Sequence, residues 1–295
     1  MKTAKYSIHL LLLTSLIAAL GWIFSKETVR ELPPFAFISS RFILAAILLM
    51  PFCRQAWQQT SLGDVIRSAG VGLLLGSALL CWIHAIAIST ALGQGAFIMS
   101  LSMLMVPIVA WLIFKTPPVK WFWASLPFAI TGLLLLAYVP NEPWQLSAGQ
   151  FWFACAAILL ALHFNANSFC ARVVPPLLLT TIQLMMTGLL AGVASWVFET
   201  LPPHLSPQIW AWFMVSTLIA TSLRYLLQTT GQKHVATASA AFIMILEPVW
   251  TLALSVWVYA EHLSMANQIG CGLILFALLL YRAPGVYRQW SALRR

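Results

Sequence analysis

An all-α membrane protein, with ten transmembrane helices in two inverted five-helix repeats, is the fold class this sequence predicts. Three observations predict it. Of 295 residues, 61% are hydrophobic and only 8% are charged, and the mean hydropathy is +0.89; a soluble domain does not carry so little charge. Apolar runs close to twenty residues long recur along the chain, the length that crosses about 30 Å of hydrocarbon. The chain also repeats itself: Ala241-Phe242-Ile243-Met244 reproduces Ala96-Phe97-Ile98-Met99 at a shift of 145 positions, and the same shift lays the run from Gly132 on the run from Ala277. A period of about half the chain, spanning several helices, marks a duplication rather than a solenoid.

Ten spans follow, each bounded by charge, proline or glycine. The first, 6–25, comes after Lys2 and Lys5 as the core of a signal peptide would. It is longer than such a core, and nine more spans follow, so it reads as an uncleaved anchor. Its residues Ser15, Ala19, Trp22 and Lys26 share one face. The second, 35–52, carries Arg41 six residues, or about 9 Å, inside the outer membrane face. The third, 68–90, places Ser77, Cys81 and His84 on one face and contains Gly72-x-x-x-Gly76, read as a packing seam. The fourth, 93–114, repeats Gln94, Ile98 and Ser102 at four-residue steps and holds the hinge candidate Pro107. The fifth is 121–139.

After a joint at Pro140–Ala148 comes the sixth span, 149–169, where His163 and Asn167 share a face and Asn165 points elsewhere. The seventh, 177–198, carries a second seam, Gly188-x-x-x-Gly192. The eighth, 208–230, has a stripe of Thr217, Thr221, Arg224, Gln228 and Gly231, with Arg224 near enough to its cytoplasmic end to snorkel to the interface. The ninth, 236–259, is one long apolar helix with Glu247 at mid-length and Pro248, a second hinge candidate, directly after it. Ala240, Met244, Glu247, Thr251 and Ser255 form its small or polar stripe. The tenth is 266–282. Residues 1–139 and 149–282 thus form the two repeats, and 283–295 a basic cytoplasmic tail.

Charge placement sets the orientation. With the amino terminus in the cytoplasm, twelve of the 16 lysines and arginines fall inside. Only Lys26 and Arg30 fall outside, and Arg41 and Arg224 lie within spans. That bias is the positive-inside rule, and both termini are expected in the cytoplasm of a bacterial inner membrane. The net charge of +9 is thereby explained by orientation and contact with membrane lipid, and a nucleic-acid partner is excluded. Five spans per half is an odd number, so the second copy inserts upside down. The result is an inverted repeat with its substrate site near the midplane.

Other residues carry a family likeness. Gly21-Trp22, FISSRFILAAILL from Phe37 to Leu49, and the stretch Gly231–Leu275 with its Leu-Glu-Pro helix, acidic turn and closing glycine-bearing helix resemble the EamA family of the drug/metabolite transporter superfamily. The resemblance spans nearly the whole chain. It implies a ten-helix carrier of small organic metabolites, often an exporter of amino acids or related compounds.

Ionisable groups inside a membrane are costly and are functional candidates by default. Glu247 is read as a substrate ligand or proton-coupling carboxylate, or else as the partner of an arginine. Arg41 suits a two-pronged contact with a carboxylate or phosphate, or a pairing with Glu247. Trp22 offers a ring for stacking, and His84, Gln94, Ser102, His163, Asn167, Arg224 and Gln228 are further candidates for a shared cavity. Two arginines against one glutamate suit a zwitterionic or anionic substrate. Catalysis finds little support: Asp64 is the one aspartate, and HExxH, GxSxG and GxxxxGK[ST] are absent. No metal or cofactor is expected. The expected function is alternating access to a midplane cavity by a monomer or homodimer, with a channel or facilitator as the alternative and a membrane-embedded enzyme less favoured.

Overall fold

The computed structural model describes residues 2–88, 92–137, 148–202, 204–259 and 264–293. All regular structure among them is helical, and the helices group into ten bodies. They are α1 (Lys2–Thr28), α2 (Pro34–Gln58), α3 (Leu62–Ile88), α4 (Leu92–Phe114), α5 (Lys120–Ala137), α6 (Ala148–Cys170), α7 (Pro176–Phe198), α8 (Pro207–Lys233), α9 (Thr237–Met244 continued by Glu247–Tyr259) and α10 (Met265–Leu293). Seven are long and apolar enough to cross a membrane, and the stretches Ile98–Ile113, Lys120–Leu135 and Met265–Tyr281 are shorter apolar helices. The protein is therefore an integral membrane protein of the helical kind. In hydrocarbon a helix is the open-ended element that satisfies its own backbone.

Proline sets several helix starts. Pro34, Pro176 and Pro207 occupy first-turn positions of α2, α7 and α8, where a missing N–H costs nothing and φ is already helical. Proline also marks irregularities. Near Pro51, α2 tightens into a 3-10 turn at Met50–Cys53. In α8 the segment Leu218–Leu223 widens into a π-helix. There the Thr221 and Ser222 hydroxyls each donate 3.0 Å bonds to carbonyls five residues back, on Ser216 and Thr217.

One expectation needs correcting. The ninth span is not one continuous helix, because α9 is interrupted at Ile245 and Leu246. Pro248 has no N–H to give to the preceding turn, so a new helix starts at Glu247 instead. From 283 to Leu293 the backbone continues α10 as helix. The joint between the halves and the acidic turn around Glu261 lie outside the described residues.

The largest contacts join α2 to α7 and α8, α3 to α6 and α7, α4 to α6 and α9, α5 to α10, and α1 to α8 and α9. Each pairs an element before residue 140 with one after it, so the core lies where the two parts interlock. The pattern also returns on itself when every helix number is advanced by five. The α3–α6 contact becomes α8–α1, α4–α6 becomes α9–α1, and α3–α7 becomes α8–α2.

Small residues permit this approach. A Cβ at Gly72 would lie 2.7 Å from the Gln183 backbone, and one at Gly188 would lie 2.8 Å from the Ile43 nitrogen. Both glycine seams thus seat α7, Gly72 on the α3 side and Gly188 on the α2 side, as small residues do between membrane helices.

At one end of the bundle, two carboxylates cap helices of the other half. Glu199 accepts bonds of 2.7 Å from the amides of both Phe35 and Ala36 at the start of α2. Glu31 accepts from the amide and hydroxyl of Ser206, at 2.8 and 2.9 Å, at the start of α8. Negative charge at helix N-termini complements orphan N–H groups and the helix dipole.

Candidate functional site

The break in α9 makes Glu247 the first residue of a new helix. Its carboxylate therefore sits at a positive dipole end, and Thr251 Oγ1 donates 3.0 Å to its carbonyl. Two side chains from other helices reach that carboxylate. Trp22 Nε1 on α1 donates to Oε1 at 3.1 Å, and a terminal guanidinium nitrogen of Arg224 on α8 lies 3.6 Å from Oε2. The first is a hydrogen bond to a charged acceptor. The second is an ion pair longer than a charge-assisted bond of about 2.7–2.9 Å. The Arg224 and Glu247 side chains keep 21% and 23% of their surface open, and Trp22 keeps 38%. The Trp22 ring meets Trp82 edge to face at 5.2 Å. The group is reachable rather than sealed.

Arg224 thus turns toward the bundle and pairs with Glu247, and does not snorkel to the interface. Nor does Arg41 pair with Glu247. Its guanidinium donates to Ser25 Oγ at 2.9 Å and Ser216 Oγ at 3.0 Å, and it packs over the Phe37 and Phe42 rings at 4.7 and 5.1 Å. Phe42 in turn lies 5.6 Å from Tyr225, whose ring carries the Arg224 guanidinium at 5.1 Å. An aromatic pair therefore separates two cations. Arg41 is 9% exposed, its Nε has no partner, and no carboxylate contacts it among the described residues. Hydroxyls and rings solvate the cation without neutralising it, and a buried unneutralised charge is costly. Ser216 reaches Arg41 from just before the π segment, a kind of irregularity frequent at functional sites.

A second polar group lies fully buried between α6, α7 and α8. His163 Nε2 and Gln183 Oε1 are 3.1 Å apart, and Gln183 Nε2 donates to Thr229 at 3.3 Å. Asn167 Nδ2 donates to Thr229 at 3.3 Å and to Gln232 Oε1. Asn165 is separate, bonding the carbonyls of Val106 and Ala161. The network is neutral amide, hydroxyl and imidazole chemistry, suited to holding three helices together at low dielectric.

The remaining candidates are dispersed. Ser102 is buried in α4, and His84 stands at the surface with its ring edge to face with Trp152 at 5.1 Å. Gln228 is buried on α8, while the Gln94 side chain lies outside the described residues. Pro107 is interior to α4, and Pro248 stands at the α9 break. Sequence reasoning missed Ser25 and Ser216 as the partners of Arg41, and Gln183, Thr229 and Gln232 as members of the buried network. Two of these left a trace: Thr229 directly follows Gln228, and Ser216 precedes Thr217 of the α8 stripe. Among the described residues no group of three or more His, Cys, Asp or Glu residues could hold a metal ion.

Known proteins share this architecture and sequence. An uncharacterised transporter from Archaeoglobus fulgidus is 24% identical over 255 residues, covering 86% of this chain and 79% of its own. A protein known from its crystal structure superposes with a TM-score of 0.80 at 15% identity, over 97% of this chain and 99% of that one; at that identity the likeness bears on the fold alone. The model of the EamA-like transporter family matches twice, at residues 5–138 and 147–283. The chain, a helical membrane protein that fits two copies of the family model, belongs to the EamA-like transporter family.

Proposed function

We propose that this membrane transporter is a secondary carrier of a small zwitterionic or anionic organic metabolite, working by alternating access. One observation carries the reading. Arg224 pairs with Glu247 in a partly open cluster built by α1, α8 and α9, and behind the Phe42–Tyr225 pair the buried Arg41 of α2 is held by hydroxyls with no carboxylate in contact among the described residues. Together these groups have one positive charge in excess, and a substrate carboxylate or comparable anion would balance it. Glu247, held loosely by Arg224, is the group to which a proton or a substrate ammonium would be exchanged. Trp22 and Trp82 would form an aromatic wall.

The inverted repeat is part of the proposal. The return of the helix contacts under a five-helix advance supports it, because a pseudo-two-fold axis exchanges α1–α5 with α6–α10 in that way. With ten crossings both termini are cytoplasmic, and charge placement supports that orientation in a bacterial inner membrane. The two halves would rock about the cluster with Pro107 and Pro248 as hinges, His163, Asn167 and Gln228 lying toward the cytoplasmic half. Export is the direction suggested by the family likeness. The family points to transport rather than catalysis.

The test is transport in reconstituted vesicles against a panel of carboxylates, phosphates and amino acids. Saturable uptake with counterflow is expected, reduced at least tenfold by Arg41→Met and altered in pH dependence by Glu247→Gln. Unitary currents without saturation would favour a channel. Transport and pH dependence untouched by both substitutions would remove this cluster from the mechanism.

A further inference from the structure

Away from the charged cluster, a groove of about 550 Å³ opens between the end of α2 and the starts of α3 and α7, within the range of about 300–1,000 Å³ typical of ligand sites. Its walls are Met50, Cys53, Trp57, Leu178, Ile182 and Met186. The 3-10 turn at Met50–Cys53 narrows α2 at this point, and a bond of 3.2 Å between Cys53 Sγ and Thr181 Oγ1 satisfies the polar atoms against the wall. The lining is otherwise almost wholly apolar.

The groove has a direction. On α2 it extends from Met50 to Gln58, and on α7 from Leu178 to Met186. Each wall is eight residues, or about 12 Å, along the helix axis. The two helices run antiparallel, so the end of α2 and the start of α7 define one mouth. Arg54, Trp57 and Gln58 stand there, exposed, and Met50, Met185 and Met186 line the opposite end, Met50 itself exposed. A cation, an indole and an amide at one end and methionines at the other match the polar and apolar ends of a leaflet lipid.

The charge at the mouth is unbalanced. Arg67 on α3 is paired with Asp64 at 3.0 Å, but among the described residues neither Arg54 nor Arg172, in the turn before α7, has an acidic partner. We infer that this groove is a binding site for an anionic phospholipid of the adjoining leaflet, one acyl chain lying between α2, α3 and α7 and the phosphate headgroup on Arg54. The site is independent of the transport cluster.

Native mass spectrometry on the purified full chain tests it, with equimolar phosphatidylglycerol and phosphatidylethanolamine of matched chains as probes. The wild type should retain phosphatidylglycerol about fivefold more than phosphatidylethanolamine, the size of one arginine's contribution at an anionic membrane surface. Arg54→Gln, an exposed change that leaves the fold intact, should bring the two lipids to parity. Ala69→Trp, which fills the groove, should lose both. Phosphatidylglycerol should also raise the melting temperature of the wild type more than that of Arg54→Gln. Equal retention of the two lipids by the wild type, or undiminished preference in Arg54→Gln, would overturn the assignment. So would a dimer mass that Ala69→Trp converts to monomer, since the groove would then be a contact between copies.

Discussion

Trp22→Phe removes the indole N–H from Glu247 while keeping an aromatic ring near Trp82. The lost bond is 3.1 Å long and ends on a carboxylate, and a hydrogen bond to a charged group contributes about 1.5–3 kcal/mol. Because the Glu247 side chain is 23% exposed, water replaces part of that interaction, and the expected loss is about 1–2 kcal/mol. At about 2–4 °C per kcal/mol for long single chains, the melting temperature in detergent should fall by about 2–8 °C. Packing lost with the smaller ring would contribute too, so the decisive measurement is a double-mutant cycle with Glu247→Gln. The amide of that variant keeps the shape and an acceptor but has no charge, and Trp22→Phe in that background should cost about 1 kcal/mol less than in the wild type. If the two substitutions add to within about 0.5 kcal/mol, Trp22 and Glu247 do not interact as described, and the coupling of α1 to α9 through this bond is refuted.

Four further outcomes are expected. Gly188→Leu drives a side chain into the Ile43 backbone 2.8 Å away and should destabilise by about 1–3 kcal/mol, measured as a lower melting temperature. Gly70→Ala meets nothing within 4 Å and should leave the melting temperature unchanged or raise it, since alanine favours helix. Glu199→Gln weakens both 2.7 Å caps on α2 and should cost about 1 kcal/mol, read as a lower melting temperature and as faster hydrogen exchange at Phe35 and Ala36. Asn167→Leu leaves the Gln232 carbonyl oxygen without its buried donor and Thr229 with Gln183 alone; a loss of about 1–3 kcal/mol is expected in denaturant titration.

Helix positions were legible because hydrocarbon demands long apolar stretches with charge at their ends, and both glycine seams were legible because close helix approach has few chemical solutions. Glu247 could be named as a candidate from the rarity of charge at depth, Arg224 as a cation on a polar stripe, and Trp22 as a deep ring suited to stacking. Their mutual contact could not, because 225 positions separate Trp22 from Glu247 and nothing local records the pairing. Arg41 was visible as a cation out of place, but the hydroxyls that hold it are common residues on otherwise apolar faces. The α9 break did leave a sign. Glu-Pro inside an apolar run is also how a helix begins, with proline in the first turn, and hydropathy cannot separate a helix from two helices end to end. The π segment of α8 left no comparable mark.

The interruption in α9 is spanned by turn bonds from the Ile245 and Leu246 amides to the Ala241 and Ile243 carbonyls, but Pro248 has no N–H for the Met244 carbonyl, and lipid offers no donor in its place. Ile243, Met244, Ile245 and Leu246 are only 1%, 2%, 4% and 4% exposed, so neighbouring protein shields the gap from the acyl chains. Irregular backbone persists within a bilayer only under such cover. Were the two halves to rock as proposed, the gap would have to stay roofed throughout, with Phe164 and Val106, which pack there, travelling alongside it. In such a cycle the segment that bears the carboxylate could swivel or slide, but it could not be bared.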